Sequence, residues 1–167
     1  KGLFEEAKFS RQGNADAVRM YKQALSIDPD YPLPYARLSN IFQLNPRFGW
    51  SGDVEGTLRR AVELAEKAVA LDDQNPSLHR MLSRAVIRIR SPDAVRRSIK
   101  SMERAIELDP DFADAYAFLG NLLTANGRID DGLRSIETAI RMNPRFPFWY
   151  LFMRGINRFM AKDYEKA

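Results

Sequence analysis

Apolar residues in this chain recur at spacings of three and four. Val95, Ile99, Met102 and Ile106 step by 4, 3 and 4, and Ile129, Leu133, Ile136 and Ile140 do the same, which gathers them on one face of an α-helix. These are amphipathic helices, not strands. The series run into blocks that echo one another: Ala24-Leu25-Ser26-Ile27-Asp28-Pro29, Ala68-Val69-Ala70-Leu71-Asp72-Asp73, Ala105-Ile106-Glu107-Leu108-Asp109-Pro110 and Ala139-Ile140-Arg141-Met142-Asn143-Pro144, with leading alanines 44, 37 and 34 residues apart. Each block ends in Asp or Asn followed by Pro or Asp, and the helix stops there, since a proline lacks the backbone N–H and drives the residue before it out of the helical region. A second periodic run follows, opened by acidic residues or proline, as at Asp111 to Asp114 and Pro76-Ser77, which suit a first turn. Short turns at Gly13, Ser91-Pro92, Gly127 and Asp163 are expected between paired helices, with Ser91 as N-cap. The pattern predicts about ten helices, the last truncated.

Composition agrees with a packed helical protein: 45% of the 167 residues are hydrophobic, 11% aromatic and 29% charged, enough for a continuous core and a charged surface. No apolar run approaches the roughly 20 residues of a membrane-spanning helix. With Lys1 as its opening residue, the chain reads as a piece of a larger protein, and a cytoplasmic location is expected. There is no cysteine, which removes disulfides and thiolate sites. The net charge of +4 is local: residues 80 to 104 carry 8 basic and 2 acidic side chains, whereas 1 to 79 carry 10 and 11 and 105 to 167 carry 8 and 9. One basic stretch, not a basic protein, sets the charge.

Tyr116, Leu119, Gly120, Leu123, Gly127, Gly132, Ile136, Ala139 and Pro144 resemble, in identity and spacing, the tetratricopeptide repeat, in which small residues let paired helices approach and large ones fill the space between. Gly132 stands where the family has alanine, which is expected to cost roughly 0.5 to 1 kcal/mol of helix propensity and leave packing unchanged. Tyr35, Leu38, Ser39, Phe42 and Ala68 match a second copy with about ten extra residues around Asn45 to Asp53, and His79, Leu82, Ser83, Ala105 and Pro110 a third. Ala17, Tyr21, Ala24 and Pro29 mark a first copy, and Phe148 and Gly155 begin a fifth. The resemblance implies an all-α fold: a right-handed superhelix of antiparallel helix pairs, a single array with units at about 1–31, 32–75, 76–112, 113–146 and a truncated 147–167. The insertion Arg47-Phe48-Gly49-Trp50-Ser51 and the stretch Asn143 to Leu151 also resemble repeat arrays attached to bacterial class III adenylate or guanylate cyclases, or to winged-helix regulators.

Reactive constellations are not found. His79, the only histidine, falls where the family packs an aromatic. Asp28-Pro29-Asp30 and Asp109-Pro110-Asp111 suggest a calcium loop, but Gly120 holds the twelfth position, where a bidentate Glu is needed. Gly49, Gly52 and Gly56 form no phosphate-binding pattern. The chain is therefore expected to be a non-catalytic interaction scaffold without cofactor or metal.

Carrying over the family's groove positions assigns Asn40 and Gln43 from the second unit, Arg80, Arg84 and Arg88 from the third, Asn121 and Thr124 from the fourth, and Trp149, Phe152 and Phe159 from the fifth. Independently, Arg80, Arg84 and Arg88 lie four apart, opposite Leu78, Leu82, Ala85 and Ile89, on one expected helix face. Arg80, Arg84 and Asn40 also resemble part of a carboxylate-clamp arrangement, with Leu3 at the position where the clamp has Asn. The expected partner is a protein or extended peptide, acidic in character, together with self-association into a homodimer through the terminal repeat. Neither a membrane nor a nucleic acid is an expected partner, since the basic stretch has no base-stacking aromatics. The alternative is a regulatory or sensory array of a nucleotide cyclase or transcription regulator, acting through oligomerisation.

Overall fold

Four helices begin where a short polar side chain accepts a backbone N–H left unpaired by the first turn. Ser10 accepts from Gly13 at 2.9 Å and opens α1 (Arg11–Ile27). Asp53 accepts from Gly56 at 2.9 Å ahead of α3 (Val54–Leu71), Asn75 from Ser77 at 3.1 Å ahead of α4 (Pro76–Val86), and Ser91 from Ala94 at 3.1 Å ahead of α5 (Pro92–Leu108). The other helices are α2 (Pro32–Leu44), α6 (Ala113–Ala125), α7 (Ile129–Met142) and α8 (Phe148–Met160). Short 3-10 helices occupy Asn45–Phe48 and Ile87–Ile89. These elements come from a computed structural model that describes residues 10 to 162.

Eight α-helices lie among the described residues, against about ten expected. The helices expected at the two ends, with Leu3 and the turn at Asp163, lie outside the described residues. Gly13 does not form a turn: it sits in the first turn of α1, because Ser10 supplies the cap three residues earlier.

The repeated blocks end the long helices, three of them at Asp-Pro or Asn-Pro and one at Asp72-Asp73. Asp28, Asp72, Asp109 and Asn143 leave the helical region, and each donates its backbone N–H to Ala24, Ala68, Ala105 or Ala139 at 2.9, 3.2, 3.0 and 3.1 Å. Asp28 and Asp109 then accept from the backbone of Asp30 and Asp111, both at 3.1 Å, so the Asp-Pro-Asp motifs are turns.

The chain forms two compact units, Lys1–Ile89 and Arg90–Ala167. In the first, α2 packs against α1, α3 and α4. Its core holds Ala17, Tyr21, Leu38, Ile41 and Leu64, and a second cluster joins Ala36, Ala68, Leu78 and Met81. In the second unit, α6 packs against α5, α7 and α8, around Ala117, Ile136, Ala139 and Tyr150. Ala68, Ala105 and Ala139 are at most 1% exposed, so the recurring small residues mark close helix approach. Each fully buried large side chain contributes about 1.5 to 3 kcal/mol. Tyr150 satisfies its hydroxyl by donating to Asp114 at 2.7 Å.

Candidate functional site

In the first unit α2 and α4, both opening helices of their pairs, lie side by side. α2 carries Asn40, half-buried, and α4 carries Arg80 and Arg84, also half-buried. Asn40 accepts a hydrogen bond from Gln43 Nε2 at 3.3 Å. Arg88 departs from expectation: α4 ends at Val86, and Arg88 belongs to the 3-10 helix Ile87–Ile89. The three arginines therefore do not share one continuous α-helical face, because the tighter winding rotates Arg88 away from the four-residue register.

Gln43 is only 3% exposed and cannot line an open wall as expected. In the last turn of α2 it turns inward, where its Nε2 binds Asn40 and its Oε1 is buried without a hydrogen-bond partner. Arg37, one turn before Asn40, is half-buried with its Nε enclosed and likewise without a hydrogen-bond partner. It was not singled out in the sequence; its signal is the three-residue step to Asn40.

In the second unit Asn121 is half-buried on α6. Thr124, assigned to the groove, is 4% exposed and donates its hydroxyl to Asn157 of α8. It is thus a packing residue, as is its repeat equivalent Gln43. Asn157 is 0% exposed and also donates from Nδ2 to the Met153 carbonyl at 2.6 Å. This buried asparagine was not singled out in the sequence, although it interrupts an otherwise apolar helical stripe.

Trp149, expected as a ligand anchor, is half-buried and packed: its ring lies 4.9 Å from Phe118 and 4.3 Å, edge-on, from Tyr150. Phe152 and Phe159 are each 61% exposed. With Phe148 at 79% and Met160 at 49% they place apolar surface along α8, a helix without an acidic residue.

His79 is buried, and its Nε2 donates to the Asp73 carbonyl at 2.9 Å, fastening the turn between α3 and α4. Among the described residues no group of three or more His, Cys, Asp or Glu is placed to hold a metal ion. No helix among them is long and apolar enough to cross a membrane. One carboxylate is electrostatically distinctive. Asp131, at the start of α7, is held below the usual aspartate range, first by its hydrogen bond from Arg128 and then by the charges of Arg128 and Arg134.

Residues 113–146 match the model of the tetratricopeptide repeat family. A 54-residue stretch is 41% identical to the cell division cycle protein 27 homolog of Caenorhabditis elegans, covering 32% of this chain and 7% of that protein. The crystal structure of MamA is similar over 99% of this chain and 91% of its own, with 24% identity and a TM-score of 0.69. The second tetratricopeptide domain of human RPAP3, solved with the HSP70 peptide SGPTIEEVD, is similar over 76% of this chain and 98% of its own, with 22% identity and a TM-score of 0.57. The chain thus carries a tetratricopeptide repeat at 113–146 and has the fold of tetratricopeptide arrays.

Proposed function

We propose that this tetratricopeptide-type array is a non-catalytic scaffold whose α2 and α4 receive an extended acidic peptide. The observation that carries the reading is the gathering of Asn40, Arg80 and Arg84 on two adjacent helices, all partly accessible. Asn40 offers its amide to the peptide backbone, and the guanidinium groups pair with carboxylates. Arg37 and Arg88 extend the same cationic character. On the second unit Asn121, Phe152 and Phe159 are further candidates for partner contact. The RPAP3 domain, which is similar in fold, was solved with a peptide containing Glu-Glu-Val-Asp; that supports the choice of an acidic ligand.

Charge alone would not suffice. Exposed ion pairs contribute about 0.2 to 1 kcal/mol each, whereas micromolar affinity needs about 8 kcal/mol. Apolar contacts must contribute most of the affinity, leaving the arginines to set specificity and approach rate. The test is fluorescence anisotropy with labelled SGPTIEEVD as an acidic probe and a neutral peptide of equal length as control. Binding of the acidic probe that weakens with salt and is lost in Arg80→Glu/Arg84→Glu supports the site. Equal binding by the double variant rejects it.

The exposed apolar residues of α8 favour a second reading, in which a second copy of the chain packs against that helix. It would suit a regulatory array that acts by oligomerisation, and the resemblance of the Arg47 to Ser51 insertion to cyclase-linked or winged-helix-regulator arrays points to that setting. Sedimentation velocity over a wide concentration range tests it, and a monomer throughout would reject it.

A further inference from the structure

The insertion between α2 and α3 is folded, not slack. After the 3-10 helix Asn45–Phe48, Gly49 takes a positive φ of 69°, and Trp50 closes the loop by donating its backbone N–H to the Asn45 carbonyl at 3.0 Å. The Trp50 ring stacks on Phe48 with centroids 4.9 Å apart. Asn14 of α1 donates from Nδ2 to Asn45 Oδ1 at 2.7 Å, tying the loop to that helix. Between loop and helix lies a cleft of about 270 Å³, lined by Arg11, Asn14, Ala15, Val18, Asn45 and Trp50.

We propose that this cleft is a second recognition pocket, for a short peptide segment in which an apolar side chain adjoins a carboxylate. Its size fits one side chain with its backbone, just below the roughly 300 Å³ at which small-molecule pockets begin. Trp50, Val18 and Ala15 supply an apolar wall, and indole is a broad, rigid surface for an aliphatic or aromatic side chain. Beyond their mutual hydrogen bond, Asn14 keeps an acceptor in Oδ1 and Asn45 a donor in Nδ2, the complement of a peptide group. Arg11 is the charged member among the described lining residues and offers a carboxylate a two-pronged donor. Among the described residues no acidic side chain lines the cleft to compete for it. The side chains act as a set: a nucleobase would use the indole but leave the Ala15 and Val18 wall uncovered.

The pocket uses none of the residues of the α2 and α4 wall, so the two readings fail separately. The test is a titration of ¹⁵N-labelled protein with N-acetyl-L-phenylalanine, followed by the indole N–H of Trp50 and the side-chain amides of Asn14 and Asn45. Those three signals are expected to move together with a midpoint near ~1 mM, as suits a single-residue fragment. N-acetyl-L-phenylalanine amide, which lacks the carboxylate, is expected to bind about tenfold more weakly. Arg11→Glu, an exposed substitution, should abolish the response, and Arg80→Glu/Arg84→Glu should leave it intact. Unmoved signals, equal binding of acid and amide, or an undiminished response in Arg11→Glu would each overturn the proposal.

Discussion

Gly120 of α6 and Gly132 of α7 face each other so closely that a Cβ on either would lie 2.7 Å from the other's carbonyl oxygen. The added carbon at 132 would also meet the Thr124 hydroxyl at 2.2 Å and Asn157 Oδ1 at 3.0 Å. Glycine at 132 is therefore a steric requirement of the α6–α7 approach, contrary to the expectation that glycine in place of the family's alanine leaves packing unchanged. Alanine gains about 1 kcal/mol in helix propensity, but forcing apart two backbones costs typically 1 to 3 kcal/mol.

Gly132→Ala is accordingly expected to destabilise the protein by up to about 2 kcal/mol net. Urea unfolding checks it: the midpoint should fall at constant slope. A rise in midpoint would mean that the helices part without cost.

The Thr124 to Asn157 hydrogen bond is buried and joins α6 to α8. Thr124→Val keeps the shape but strands the Asn157 oxygen, at a cost of about 1 to 3 kcal/mol. Asn157→Leu in the Thr124→Val background should recover part of that loss, since replacing both partners removes the unmet polar group. A double-mutant cycle with no coupling would contradict the bond's role.

Acid titration bears on the Arg128, Asp131 and Arg134 group. The folded-state pKa of Asp131 is depressed, chiefly by the Arg128 hydrogen bond, so its contribution to stability is present above the unfolded aspartate pKa and lost as pH falls through the folded value. Because Asp131 is solvent-accessible, the effect is small. Carbon-detected NMR of its carboxyl should give a midpoint below that of an ordinary aspartate, and Arg128→Gln should raise it. A midpoint unmoved by Arg128→Gln would reject the assigned cause.

Helix existence, helix ends and the packed alanines were readable from the chain, because a period of 3.6 and an Asp-Pro stop are local properties. Ser91 was recognised as an N-cap for the same reason. Thr124 and Gln43 were misread because burial in the last turn of an opening helix depends on what the neighbouring helices place there. Asn157 for Thr124 and Asn40 for Gln43 leave no spacing signal. Arg88 was assigned to an α-helical face because nothing in Ile87-Arg88-Ile89 announces a change to 3-10 winding. Trp149 was assigned as an anchor from the family's groove positions, but Phe118 and Tyr150 already pack against its ring.

Self-association through α8 has its own check. Phe148→Glu/Phe152→Glu replaces two exposed rings with like charges and should hold the chain monomeric at concentrations where the unaltered protein associates, without lowering its unfolding free energy by more than about 0.5 kcal/mol per site. Identical sedimentation of both proteins would exclude α8 as the contact.

The most direct measurement remains the affinity of the acidic peptide probe for the unaltered chain and for Arg80→Glu/Arg84→Glu, taken across a salt series. The account predicts saturable binding of the acidic probe that weakens as salt rises, with no binding of the neutral control and none by the charge-reversed protein. Equal affinity for both proteins, or for both peptides, would contradict it.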